Sequence, residues 1–163
     1  MHPETEDCFS FSPQRAMIFR DTLLNNLTAY DRSISDERLQ RAYGAAMFTE
    51  VIEHRKDGFQ EMTAQDGMNL SGGERKRLSL ARALARGAGV YVLDDPFSAL
   101  DAVTAKKAYD GTSAFLKGKT LIVVSQKIND VANADSVVMM DNGRIIAQGT
   151  HAELPEECRE YRV

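Results

Sequence analysis

Asp94 and Asp95 stand side by side at the end of the apolar run GVYVLDD, where a buried strand would meet its loop. Two carboxylates at such a place are costly unless a cation or a polar ligand waits there. Ligands of open α/β sheets bind beyond the carboxyl ends of the strands, which is where these acids fall. One carboxylate can hold Mg2+ through water while its neighbour orients an attacking water. For the pair alone, a surface strand end before a Pro96 turn is the bland alternative. A second stretch with chemical potential lies upstream, NLSGGERKRLSLARAL at residues 69 to 84. It opens on a polar turn with two glycines and runs into a basic helix. Ser71 and Glu74 have the Ser-x-x-Glu spacing of a capping box. The Ser71 hydroxyl and the N–H groups of Gly72 and Gly73, at the positive end of that helix, suit a phosphate.

The elements that must position these groups follow from pattern. CFSFS alternates until Pro13 removes a backbone donor, so a short strand ends there. Asp21 to Leu27 reads as a short helix. Ser35 caps another that runs to about Met47, with Asp36 and Glu37 in its first turn, and a polar loop follows around Gly58. Leu78, Ala81, Leu84 and Ala85 form the buried stripe behind the Ser71 cap. After the GVYVLDD strand the spacing predicts a helix over about 103 to 116, although Gly111 inside it has no sequence-level reason. TLIVVS is a further strand, and a short helix is expected near Asp130 to Ala134. Asn142-Gly143 signals a hairpin between two β-rich runs, and Thr150 with Glu153 offers a second capping box. Strands without polar alternation, separated by helices, imply a parallel sheet covered on both faces.

Composition narrows the function classes. The chain has 163 residues, 43% of them hydrophobic, and a net charge of −4. That charge argues against general nucleic-acid binding. Arg75, Lys76, Arg77, Arg82 and Arg86 read as a solvated helix face. Cys8 and Cys158 are too few for a disulfide framework, which favours a reducing compartment. No apolar run approaches a membrane span, and the acidic start MHPETED lacks the apolar core of a signal peptide. His2, His54 and His151 show no metal spacing.

LSGGERKRLSLARAL resembles the signature sequence of ABC-type ATPases, and VYVLDDPFSALD resembles their Walker B strand and D-loop. FSPQ is similar to the Q-loop, with Gln14, and DNGRIIAQGTHAEL to the segment that closes exporter-type domains. The resemblance covers nearly the whole chain. It implies a P-loop NTPase-like (RecA-like) α/β fold, incomplete, with an inserted helical subdomain. It implies a strand and Q-loop over 8–19, the helical subdomain with the signature over 20–86, and Walker B, D-loop, H-loop region and closing segment over 87–163. By the same resemblance ATP and Mg2+ are the cofactors. Gln14, Leu70, Ser71, Gly72, Gly73, Glu74 and Asp101 face nucleotide, Asp94 and Gln14 face the metal, and Asp95 and Gln126 take the catalytic positions.

Three departures qualify the resemblance. Asp95 stands where the family has a glutamate, and one methylene less withdraws the carboxylate by about 1 Å, enough to cost about 10²-fold if positioning matters. Gln126 stands where a histidine usually contacts the γ-phosphate, and a carboxamide carries neither proton nor charge. Paired, they resemble the degenerate site of a heterodimeric exporter. The P-loop, G-x-x-x-x-G-K-[ST], is absent from these residues. GKT at Gly118 to Thr120 would need its first glycine at Ser113 and leads into a strand, so it reads as a turn. Family members pair head to tail, so the signature here would close over ATP held by a second nucleotide-binding domain. The expectation is a nucleotide-binding domain lacking its first strands, on the cytoplasmic side of the cell membrane through permease domains this sequence lacks, and inactive alone. A rival, the C-terminal lobe of an SMC-like DNA-repair ATPase, predicts a heptad coiled coil before the signature, and none is present. A non-catalytic fragment is compatible with the main reading.

Overall fold

A computed structural model describes residues 8–161; the MHPETED stretch with His2 lies outside them. The chain divides into two compact units, Met1–Val124 and Ser125–Val163, each with its own apolar core. Among the described residues no helix is long and apolar enough to cross a membrane.

The first unit is built on a three-stranded parallel sheet in the order β1 (Phe9–Ser12), β2 (Val90–Asp94), β3 (Thr120–Val124). Ser12 pairs with Leu93, and Asp94 with Val124, so the carboxyl ends of all three strands emerge along one edge. Between β1 and β2 the chain forms α1 (Leu23–Thr28), α2 (Asp36–Ala45), α3 (Thr49–Glu53) and α4 (Gly72–Ala85). The helix expected to reach Met47 stops at Ala45, and Met47 takes a left-handed φ of 56°. The chain then restarts as α3, which buries Val51 and Ile52 within what the sequence suggested was loop. Ser35 caps α2 as expected, accepting from the Arg38 N–H.

α4 packs against α1, α2 and β1. It meets the sheet through small polar groups. The Ser10 hydroxyl donates to the Ala83 carbonyl at 2.7 Å, and Ser12 and Ser79 share a hydrogen bond. Its last carbonyls are capped from α2, where Arg38 donates to Leu84, Ala85 and Arg86 oxygens and to the Tyr91 hydroxyl. The covered sheet face carries Tyr91 and Leu93, both fully buried. The opposite face is open, and this corrects the expectation of a sheet covered on both sides. Phe9, Phe11, Ile122 and Val124 are 59%, 57%, 47% and 53% exposed there. The apolar residues on both sides of the pleat fit a two-sided sheet, but no helix among the described residues lies on that side.

α5 (Ala102–Phe115) crosses from β2 to β3. Gly111 in its interior now has a reason. A Cβ there would sit 2.6 Å from the Ala45 carbonyl oxygen, so only glycine lets α5 lie this close to the end of α2. GKT forms a turn into β3, with Gly118 at φ 80°.

The second unit holds an antiparallel hairpin, β4 (Val137–Asp141) and β5 (Arg144–Gly149). Asn142 and Gly143 both have positive φ, 47° and 75°, as a two-residue primed turn requires. Where a helix near Asp130 to Ala134 was expected, the chain makes a 3-10 turn over Ile128–Asp130 and further turns. The second capping box is only half formed. Glu153 takes both the Thr150 N–H and its hydroxyl at 2.8 Å, but the Glu153 N–H goes to the Thr150 carbonyl at 3.1 Å and not to the hydroxyl oxygen. The terminal helix α6 (Leu154–Glu157) begins later, with a proline in its first turn.

Candidate functional site

Ser71 has the extended backbone of an N-cap, and the box with Glu74 is complete. The Glu74 N–H donates to the Ser71 hydroxyl oxygen at 3.2 Å, and the Ser71 N–H donates to a Glu74 carboxylate oxygen at 2.6 Å. The hydroxyl oxygen accepts from the Glu74 N–H, and the hydroxyl also interacts with the Glu74 carboxylate. The other Glu74 oxygen accepts from Arg55 at 2.5 Å. Burial works against ionised Glu74, but Ser71 and Arg55 outweigh it and hold the carboxyl below its ordinary value. Gly72 and Gly73 contribute first-turn N–H groups that no intrahelical carbonyl can reach. Leu70 anchors the turn in the core at 4% exposure.

The two glycines differ. A Cβ on Gly73 would lie 3.1 Å from the Ala99 carbonyl oxygen and 3.3 Å from Leu100, whereas one on Gly72 would meet only Ala99 Cβ at 3.7 Å. The signature turn is therefore packed against the loop that follows β2. Gly73 serves that packing, while Gly72 faces room.

At the end of β2, Asp94 and Asp95 are half-buried. Among the described residues, neither carboxylate receives a hydrogen bond or closes an ion pair. Unpaired hard oxygens at a strand end fit Mg2+, which is bound by one or two carboxylates and otherwise keeps water and phosphate ligands. Asp95 has a left-handed φ of 48°, a conformation costing roughly 1–2 kcal/mol for most residues and least for Asp or Asn. Its backbone is fastened at both ends. The N–H donates to Val124 O at 2.7 Å, and the carbonyl accepts from Lys76 Nζ at 2.9 Å and from the Ser98 hydroxyl at 3.1 Å.

Gln14 follows β1 by two residues, exposed, along the same strand-end edge as the acids. The Asp101 carboxylate caps α5, one oxygen accepting from both Val103 and Thr104 N–H, and the Thr104 side chain, followed by these N–H bonds, holds its carboxyl below the ordinary value. Gln126 belongs to the second unit, where it is exposed.

Four of the five residues of the basic run overturn their sequence reading, while Arg86 is exposed as expected. Lys76 is 8% exposed. Arg75 donates to Gly67 and Leu70 oxygens, and Arg77 to Met47 O. Arg82 donates to Met17 and Asn26 oxygens, and burial pushes its guanidinium down to about 10. These are cations that tie loops onto α4. The missed signal was Leu80 and Ala83, apolar residues off the expected stripe, which mark a helix buried nearly all round.

The chain matches the ABC transporter family over residues 2–98. It belongs to that family. It is 38% identical over 152 residues to an uncharacterized ABC transporter ATP-binding protein of Mycobacterium bovis, covering 91% of this chain and 26% of that one. It is 35% identical over 154 residues to an ATP-dependent lipid A-core flippase of Cupriavidus pinatubonensis, covering 93% of this chain and 26% of the flippase. A bacterial Atm1-family ABC exporter solved with ATP bound matches with a TM-score of 0.90 at 26% identity, over 96% of this chain and 28% of the exporter. The fold is that of the ABC nucleotide-binding domain. The chain spans about a quarter of the length of the curated relatives named here.

Proposed function

We propose that this chain is the nucleotide-binding domain of an ABC exporter and acts mainly in trans, its Ser71–Gly73 turn closing on ATP held by a second, non-identical nucleotide-binding domain. The carrying observation is the start of α4, where the two N–H groups of Gly72 and Gly73 are unspent beside the Ser71 hydroxyl, on a helix fixed by its box, its packing and Arg38. On this reading the phosphate these donors suit is held by another domain. Residues 20–86 form the helical subdomain that carries the signature, and permease domains at the cytoplasmic face of a membrane receive the resulting motion.

At the chain's own side of the pair, Asp94 and Gln14 would hold Mg2+, Asp95 would orient water, and Gln126 would hydrogen-bond the γ-phosphate. When bound, Mg-ATP supplies the phosphoryl group whose transfer to water releases the energy for transport. At the partner's side, Ser71, Gly72 and Gly73 would donate to the charge developing on the γ-phosphate of the ATP held there, as preorganised donors do without reorganisation. Glu74 is wired to Ser71 and Arg55 and fixes the turn. The shortened Asp95 and the chargeless Gln126 make this side the weaker of two.

ATP turnover tests the reading. The chain alone is expected to hydrolyse none, and turnover should arise on mixing with a partner domain that holds a P-loop. Asp95→Glu with Gln126→His, placed in a full-length subunit of the assembled pair, should raise hydrolysis at the weak side. Turnover by the isolated chain would contradict action in trans, and an unresponsive double variant would contradict degeneracy.

A further inference from the structure

We propose that Lys76 is a positioning residue for Asp95, its ammonium holding the Asp95 carbonyl and so the left-handed backbone that aims the carboxylate. That the carboxylate acts on water rests on the function proposed above; that Lys76 fixes the backbone beneath it does not.

Lys76 lies one turn into α4, three residues beyond Gly73, with its side chain directed inward. A lysine at this depth normally closes an ion pair. Here Nζ instead donates to two main-chain oxygens, Asp95 O at 2.9 Å and Asp94 O at 3.5 Å. Both carbonyls lie at the end of β2, where the ladder with β3 finishes. Asp95 is the one site residue with a left-handed φ, and such a residue persists only where its surroundings determine it. Four hydrogen bonds determine it, the longest from the Ser98 N–H to the Asp95 carbonyl at 3.5 Å. Val124 O fixes its N–H from β3, the Ser98 hydroxyl takes its carbonyl from the exposed side, and Lys76 takes the same carbonyl from the core. Of these only the Lys76 bond, which is part-buried, is charge-assisted, and such bonds are about twice as strong as neutral ones.

The bond also has a direction through the molecule. The first turn of α4 carries the phosphate donors, and its second turn carries Lys76. With Gly73 lying against Ala99 and Leu100, α4 is joined to the loop after β2 at two points. The donor end and the acid end of the first unit are thereby held as one piece.

The test is amide hydrogen exchange on the full chain, comparing wild type with Lys76→Met, which keeps the length and apolar stem but loses the donor, and with Lys76→Arg, which keeps donors and charge. We expect Lys76→Met to speed exchange at the Asp95 and Ser98 amides about tenfold relative to the Leu80–Leu84 amides of α4. Lys76→Arg should restore them to within about twofold. Placed in a full-length subunit of the assembled pair, Lys76→Met should also lower kcat at the Asp95 side with ATP KM unchanged. Should Lys76→Met fail to fold, Lys76→Gln carries the same comparison. Unchanged exchange at Asp95, a rise spread evenly over α4 and β2, or an arginine variant as fast as the methionine one would each overturn the assignment. Exchange is read without nucleotide, so a failure there is separate from a failure of the proposed ATP chemistry.

Discussion

The start of α4 and the end of β2 meet in one unit but spend their polar groups in opposite ways. At the start of α4 the side chains are committed. Ser71, Glu74 and Arg55 satisfy one another, and what is left over is a set of donors pointing outward. At the end of β2 the backbone is committed and the carboxylates are not. A set of fixed donors can await an anion at little cost, because water serves them meanwhile. Two free acids side by side are unfavourable until a cation arrives. The difference teaches that the first end contributes to folding and the second draws on it.

The contrast is broken most strongly at Glu74. Glu74→Ala removes both the box and the Arg55 partner, and should lower unfolding free energy by about 1–2 kcal/mol in a denaturant titration. A neutral result would show that the turn is held by packing alone. The glycines sharpen the same point. Gly72→Ala should be neutral or stabilising, since alanine is the better helix former by up to about 1 kcal/mol. Gly73→Ala should be less stable than Gly72→Ala by about 1 kcal/mol, because its methyl presses on the Ala99 carbonyl. Equal stabilities would remove the packing role given to Gly73.

At the other end, Asp94→Asn should leave stability within about 0.5 kcal/mol of wild type or raise it, as it relieves repulsion between unpaired acids. A loss as large as that of Glu74→Ala would mean that Asp94 holds the fold together. The smallest effect is one of pH. Glu74 has its folded-state carboxyl below the ordinary value. Its contribution is therefore fully present above the unfolded value, and is lost as pH falls through the lower folded one. Glu74→Gln should flatten the acid limb of the stability curve below the ordinary 4.5. An unchanged acid limb would show that other carboxyls set it.

Much of this was legible in sequence where the cause is local. The Ser71 box, the Ser35 cap, the Asn142-Gly143 turn and the strand ending in two acids each depend on residues a few positions apart. What sequence missed depends on tertiary neighbours. Gly111 is explained only by Ala45, sixty-odd positions away in the fold's other helix. The inward turn of Lys76 and Arg82 follows from α4 being enclosed on several sides, which a single amphipathic stripe does not predict. The open sheet face could not be read from the strands either, since Phe9, Phe11, Ile122 and Val124 have the composition of covered residues and the neighbours decide.

The central claim is that Ser71, Gly72 and Gly73 serve a phosphate held by another domain. Gly72→Asp tests it most directly. An added Cβ meets nothing closer than 3.7 Å, so the fold should tolerate the change. The new carboxylate would stand where the triphosphate is to bind, and like charges at that distance repel strongly in a site that excludes water. ATP turnover and nucleotide binding would be measured together in the assembled pair. The account predicts that hydrolysis at the partner's side is abolished while ATP still binds the partner's P-loop. Turnover at the wild-type rate in the Gly72→Asp pair would contradict it.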